Sequence, residues 1–408
     1  MGKIKIFNDP VYGFVGIPRD ILFEIIEHPF FQRLRRIKQL GLTDLVYPGA
    51  HHSRFHHTLG AVHLMNEALD SLRSRGVEIS EEEVEGALLA ILLHDIGHGP
   101  YSHALENKII VGGTHEDISL LFMEYFNKRL NGRLNLAIEI FKGQYPRKFL
   151  CQLVSGQLDV DRLDYLRRDS FYTGVSEGVI GSDRIIKMMN VVNDELVVDE
   201  KGIYSIEKFL IARNLMYWQV YLHKTVICSE MILVKVLKRA HELRKKQELV
   251  SSSPYFNEIL RGIHIDKLKE EDGLELFSKL DDYDVMTACK QWTTVEDTVL
   301  SELSSMLVNR NLLKVELRNG PTDHAYFNTV QKAAQRQLGL EDEMLHNCVF
   351  SGEVSNTTYQ NENSAIKINF KNGKLLDFVE ASKQYDLNVL TKQVQKHYIC
   401  FPKSLILS

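Results

Sequence analysis

Imidazole and carboxylate side chains crowd four short stretches of this chain: Arg54-Phe55-His56-His57-Thr58-Leu59-Gly60, His94-Asp95-Ile96-Gly97-His98-Gly99-Pro100-Tyr101-Ser102-His103, His115-Glu116, and Asp159-Val160-Asp161-Arg162-Leu163-Asp164-Tyr165. Ten of the 16 histidines fall at or before His115, so the imidazoles are concentrated rather than scattered. A vicinal His94-Asp95 at a helix end can turn two donors toward one ion, and neutral imidazole with carboxylate suits a divalent transition metal better than calcium. Four protein ligands would leave octahedral positions for water and substrate. Such an ion lowers the pKa of bound water and neutralises phosphate oxygens, which is what hydrolysis of a phosphate ester requires. Any one of these histidines taken alone reads more simply as a satisfied core residue; only the combination points to a site. His28 and His63 keep that simpler reading, and His51, His52 and His56 read as loop histidines near the site.

Two further patterns could bind a ligand. Asp161, Tyr165 and Asp169 recur every four residues and so share one helical face. Arg213, Tyr217, Tyr221 and Lys224 follow at intervals of four, four and three, a stripe of positive charge and aromatic rings whose simpler reading is half core and half solvated surface.

The elements that must position these residues are mostly helical. Periodicity of period 3.6 dominates from residue 18 to about 250. Ser80 and Glu83 form a capping box ahead of Val84, Ala87, Leu88, Ile91 and Leu92, predicting a helix that reaches His94 and stops near Gly97. A second helix carries Leu59, Val62, Met65, Leu69 and Leu72 and meets Gly76. Glu195–Asp199 followed by Glu200-Lys201-Gly202 and Ile203-Tyr204-Ser205 predicts a small hairpin near 195–205, an insertion in the helical region. Ser251-Ser252-Ser253-Pro254 reads as a loop, Leu312 to Leu317 as a strand, and Lys371-Asn372-Gly373-Lys374 as a hairpin turn after Ile366, Ile368 and Phe370. The expected fold is mainly α: a helical domain over residues 1–300 with a smaller mixed α+β C-terminal lobe over 301–408.

Composition narrows the function classes. Of 408 residues, 44% are hydrophobic and 25% charged, the balance of a chain that folds. A net charge of −5 argues against a surface built wholly for nucleic acid, though local basic pockets remain open. Five cysteines without a CxxC pair, no N-terminal apolar run and no apolar stretch of about 18 residues lead to the expectation of a reducing, cytoplasmic home with no membrane partner.

The motifs Arg-Phe-x-His-Thr-Leu-Gly, His-Asp-Ile-Gly-His-Gly-Pro-Tyr-Ser-His, His-Glu and Asp-Val-Asp-Arg-Leu-Asp-Tyr, in this order, resemble the HD-domain phosphohydrolases, specifically the deoxynucleoside triphosphate triphosphohydrolases. Within that family the chain resembles the branch containing the animal sterile-alpha-motif and HD-domain protein, without its sterile-alpha-motif domain. Similarity starts at Ile6-Phe7-Asn8-Asp9-Pro10, continues through Phe31 to Gly41 and Tyr47 to Ala50, and extends to about Lys314. The resemblance implies an HD-domain helical core in which His57, His94, Asp95 and Asp161 bind one divalent ion, with Mn, Fe, Mg, Ni and Zn all open. It implies that His98, His103 and His115 line the α-phosphate site with Glu106 behind them, and that His115 or His103 protonates the departing 5′ oxygen. Arg54, Arg162, Arg213 and Lys224 match triphosphate-holding positions. Tyr165 and Asp169 match the sugar-binding pair, Tyr221, beside Tyr217, the ring near C2′, and Gln39 and Leu40 the sugar edge and base.

The implied reaction is water attack at the α-phosphorus of a dNTP, giving deoxynucleoside and inorganic triphosphate. Members of this branch form oligomers activated by nucleotides held between subunits. Lys5, Asn8, Arg35, Arg310 and Lys314 stand at matching allosteric positions, whereas Glu27 replaces the aspartate that reads guanine. A homo-oligomer, dimer or tetramer, is therefore expected. Two other readings stay open: a generic HD phosphohydrolase acting on nucleoside monophosphates, cyclic nucleotides or alarmones, and a non-catalytic nucleotide or nucleic-acid sensor with a structural metal.

Overall fold

Ser53 ends an extended stretch, and its side chain together with that of His56 closes a capping box on α1 (Arg54–Ser74). The Ser53 N–H donates to His56 Nδ1 at 3.2 Å, so the second histidine of the first motif is spent on starting the helix. The computed structural model describes residues 4–18, 20–101, 110–246, 253–359, 365–382 and 388–407 of the chain. The other principal helices are α2 (Glu81–Leu93), α3 (His115–Arg129), α4 (Val160–Thr173), α5 (Ile203–Met216) and α6 (Lys224–Lys245). Together with many shorter helices they make the chain mainly helical, with mixed α+β structure toward the C-terminus, as the periodicity predicts.

The α2 capping box forms as expected, Glu83 N–H donating to Ser80 Oγ at 3.1 Å and Ser80 N–H to Glu83 Oε2 at 2.8 Å. Residues 87–93 of α2 are all buried, as a helix apolar on every side must be, and α1 packs against both α2 and α4. Asp159 caps α4 by accepting from the Arg162 N–H at 2.7 Å, and Gly174, at φ 74°, ends it in the left-handed region. Burial against α1 therefore fixes the faces on which α2 and α4 present their polar residues.

Two sequence expectations need correction. The hairpin lies one segment earlier than 195–205: Met189–Val192 pairs antiparallel with Glu195–Asp199, and Ile203 already opens α5. Its turn is Asn193-Asp194, with φ of 53° and 58°, a conformation that Asn and Asp tolerate without glycine. Nor is the hairpin a bare insertion. Lys367–Asn369 adds to it in parallel and Leu375–Asp377 follows antiparallel, making a four-stranded sheet from distant segments. The Asn372-Gly373 turn joins those last two strands, as predicted.

The second correction concerns the Arg213-to-Lys224 stripe. α5 passes into a π-helical turn over Tyr217–Tyr221, breaks at Leu222, and α6 restarts under a His223 cap. The extra residue in that turn re-aims Tyr221 relative to a continuous helix. The strand predicted at Leu312 to Leu317 is Lys314–Arg318, on one side of Val394–Phe401, with Phe350–Asn356 on the other. Side chains beyond residue 350 reach α5: Thr358 Oγ1 donates to Asn214 Oδ1 at 3.0 Å, and Ser382 bonds Glu207. Among the described residues no helix is long and apolar enough to cross a membrane.

Candidate metal and phosphate site

α1, the end of α2 and the start of α4 bring His57, His94 and Asp161 together. One ligating atom from each lies within 4.8 Å of the others. His57 Nε2 stands 3.0 Å from Asp161 Oδ1, and His94 Nε2 stands 3.5 Å from the same oxygen. The other ring nitrogens settle the tautomers. His57 Nδ1 donates to Asp164 Oδ2 at 2.7 Å and His94 Nδ1 to the Ile91 carbonyl at 2.6 Å, so each ring turns its Nε2 toward the cluster. Both Nε2 atoms are buried with no hydrogen-bond partner among the described residues. Two orphaned imidazole nitrogens beside a carboxylate fit a divalent cation. Burial pushes the His57 imidazole down, but Asp161 and Asp164 outweigh it and raise it to about 10, so the carboxylates favour positive charge at this spot.

Asp95, the fourth expected ligand, borders this cluster. Its Oδ1 is 3.4 Å from His94 Nε2 and its Oδ2 is 3.8 Å from His57 Nε2. Arg54 Nη1 holds Oδ2 at 2.6 Å, and His98 Nε2 approaches Oδ1 at 3.2 Å. Arg54, expected on the triphosphate, is thus paired to the Asp95 carboxylate. Burial and then Arg54 push His98 down to about 3, so it stays neutral at physiological pH. Its ring stacks on His115, with centroids 3.9 Å apart and planes 16° from parallel. His103 and Glu106 lie outside the described residues.

His57 is held by residues that the spacing did not single out. Arg168 grips Asp164 with Nε and Nη2, both at 2.9 Å, and reaches Asp9 Oδ2 with Nη1 at 2.7 Å. His57, Asp164 and Arg168 are wholly inaccessible. Asp164 was visible inside a motif, but nothing local signals that Arg168 and Asp9 complete the chain. A Cβ at Gly60 would sit 2.0 Å from Asp164 Oδ1 and 2.2 Å from Arg168 Nη2. Gly60→Ala is therefore expected to destabilise the protein by roughly 3 kcal/mol, read as a lower melting temperature, and to weaken metal uptake with it.

The loop after α2 is shaped the same way. Gly97 N–H donates to Ser119 Oγ at 2.9 Å, and a Cβ at Gly97 would meet the His115 carbonyl at 2.1 Å, so only glycine lets this loop touch the start of α3. Buried Arg33 donates to the carbonyls of His98 at 2.9 Å and Ile96 at 2.6 Å, a support missed in the sequence because it belongs to no motif.

The anion-binding candidates gather on α4, α5 and the π turn. Burial and then Tyr217 hold the Tyr165 phenol well above its usual range, with Arg213, Arg162 and Asp161 also acting on it. Arg162 bonds Asp159 and the Gly156 carbonyl. Arg213 differs: 7% exposed, it has Nε and Nη1 buried without a partner among the described residues. Tyr221 packs edge-on against Tyr217 at 5.2 Å and Tyr165 at 6.2 Å, and its hydroxyl donates to Asp169 Oδ2 at 2.8 Å. Gln39 Oε1 is a buried acceptor without a partner among the described residues, Leu40 is half-buried against the core, and Lys224 is exposed at the start of α6.

The expected allosteric residues fall into separate places. Arg35 lies over the Phe55 ring at 3.6 Å and Lys5 over Phe7 at 6.0 Å, with the two rings 6.2 Å apart. Asn8 and Glu27 are exposed, and Glu27 acts electrostatically on Arg35. Arg310 donates to the Leu45 carbonyl at 2.7 Å, while Lys314 pairs with Glu316 at 3.2 Å.

Residues 54–168 match the HD domain, and residues 180–252 match the HD associated region. The protein YwfO of Bacillus subtilis (strain 168) is 32% identical over all of this chain and 94% of its own length. The Dictyostelium discoideum deoxynucleoside triphosphate triphosphohydrolase SAMHD1 homolog is 30% identical over 65% of this chain and 56% of that protein. A crystal structure described as a phosphohydrolase, from Bacteroides thetaiotaomicron VPI-5482, superposes with a TM-score of 0.93 at 49% identity. It covers 98% of this chain and 100% of its own.

Proposed function

This chain belongs to the HD-domain phosphohydrolases, metal-dependent enzymes, and on that premise we propose that it hydrolyses dNTPs at the α-phosphorus, releasing deoxynucleoside and inorganic triphosphate. The observation that carries the substrate is Arg213. A nearly buried guanidinium with two donor nitrogens unpaired among the described residues is satisfied when an anion completes it, and its charge acts on Tyr165 together with those of Arg162 and Asp161. That arrangement supports a polyphosphate running from the His57, His94 and Asp161 cluster toward α5. Lys224 supplies a further, exposed cation at the start of α6.

His57, His94, Asp95 and Asp161 hold the divalent ion in this reading. When bound, the ion supplies an acidified water and neutralises phosphate oxygens. The chain's own residues do the rest. Asp164 and Arg168 keep His57 oriented; His98, neutral, hydrogen-bonds rather than donating a full positive charge; and His115, stacked on it, or His103 delivers the proton to the 5′ oxygen. Tyr165 and Asp169 receive the sugar, and the Tyr221 ring, fixed by its hydroxyl, closes the space a 2′ hydroxyl would need. Lys5, Asn8 and Arg35 form the part of the proposed activator site that one subunit supplies, and a homo-oligomer completes it.

Chelation is expected to abolish turnover, and adding back Mn, Fe, Mg, Ni or Zn singly should restore it to different extents. The measurement is product analysis across four dNTPs and the matching ribonucleotides. Triphosphate with deoxynucleoside is the expected outcome. Orthophosphate or pyrophosphate in its place would assign a different phosphoester, and no turnover with any metal would leave a binding protein.

A further inference from the structure

Three candidates for the sugar-binding end of the site, Gln39, Asp169 and Tyr221, come from remote parts of the chain, and one residue touches the first two and reaches the third through Asp169. His52 is 1% exposed. Its carbonyl accepts from the Gln39 N–H at 2.9 Å, and its Nε2 lies 2.7 Å from Asp169 Oδ1. Asp169, itself 1% exposed, accepts on its other oxygen from the Tyr221 hydroxyl. The His52 ring stacks on Tyr172, with centroids 4.5 Å apart and planes 19° from parallel, which fixes its orientation. Since the carboxylate only accepts, Nε2 carries the proton of this bond; Nδ1 is buried with no partner among the described residues.

We propose that His52 is a positioning residue for the substrate site: it clamps Asp169, and through Asp169 the Tyr221 ring, while its main chain holds Gln39. The proposal rests on the dNTPase reading for what the clamp discriminates, but not for the clamp itself. A buried carboxylate needs donors on both oxygens. Without His52, Asp169 has Tyr221 alone on its side chain, the carboxylate turns toward other donors, and the Tyr221 ring loses the anchor that sets its distance from the sugar. The residue then governs sugar fit rather than bond cleavage, because its side chain bonds Asp169 and stacks on Tyr172.

His52→Phe keeps the ring and its stack on Tyr172 but removes the donor, and His52→Gln keeps a donor. In dNTP hydrolysis His52→Phe should raise KM about tenfold with kcat within about twofold, and lower the dNTP-over-NTP preference about tenfold; His52→Gln should recover most of both. A role in stability alone would lower the melting temperature and leave the preference unchanged, and that result overturns the proposal. Independently of activity, ¹H–¹⁵N spectra of ¹⁵N-histidine-labelled protein should show a downfield, slowly exchanging imidazole N–H that vanishes in His52→Gln and shifts in Tyr221→Phe. Its absence from the wild-type spectrum refutes the clamp. If the wild type hydrolyses no dNTP while this resonance is present, the functional reading fails and the clamp stands.

Discussion

Asp161→Ala is expected to lower metal-dependent turnover by more than about a thousandfold while leaving the fold intact, because the carboxylate serves the ion rather than the core. Asp161 lies in the first turn of α4, with 27% of its side chain exposed, and so is not part of the closed core. Burial alone would raise its carboxyl; His57 and His94 reverse that and hold it well below the usual carboxylate range. Removing it leaves two Nε2 atoms facing Asp95, a carboxylate already neutralised by Arg54. His57 retains Asp164 as a partner and need not be left as an isolated buried charge. Bound metal per chain should therefore fall in step with activity, and the melting temperature in chelator should move by only a few degrees. Undiminished hydrolysis by the metal-stripped variant would sink the assignment of the site.

The legible part of this site is the part carried by local motifs. His57, His94 and Asp161 lie in motifs that resemble those of the HD-domain phosphohydrolases, and that resemblance implied them as ligands; the packing of α1 against α2 and α4 brings the three together. Asp9 and Arg168 were not legible, since their bond joins residues 159 positions apart and neither sits at a spacing that demands the other. His52 was read as a loop histidine because its partner, Asp169, is 117 positions away. The fold divides in the same way. Capping boxes and the Asn-Gly turn are local and were found. The Asn193-Asp194 turn lacks the glycine that marks such hairpins, and the parallel pairing of Val197 with Lys367 is a contact between distant segments that no window of sequence contains.

Arg213 offers the sharper test of substrate, because function and stability should move in opposite directions. In the ligand-free chain its guanidinium is nearly buried. It lies 5.9 Å from the centre of the Tyr217 ring, and two of its nitrogens have no hydrogen-bond partner among the described residues. A donor buried without an acceptor costs about 1–3 kcal/mol, so a side chain of similar length without charge should raise the melting temperature of the free protein. Arg213→Met is that variant. The same change removes the cation best placed to receive a phosphate group, and kcat/KM for a dNTP should fall by about a hundredfold or more. Arg213→Lys should not rescue it, since an ammonium is a point donor where the site presents a planar fork. A protein built only to be stable would not retain such a residue in this environment; one that binds polyphosphate gains from it whenever substrate is present. Thermal melts with and without inorganic triphosphate separate the two contributions. Triphosphate should stabilise the wild type and leave Arg213→Met nearly unmoved, and an equal shift in both would place the anion elsewhere.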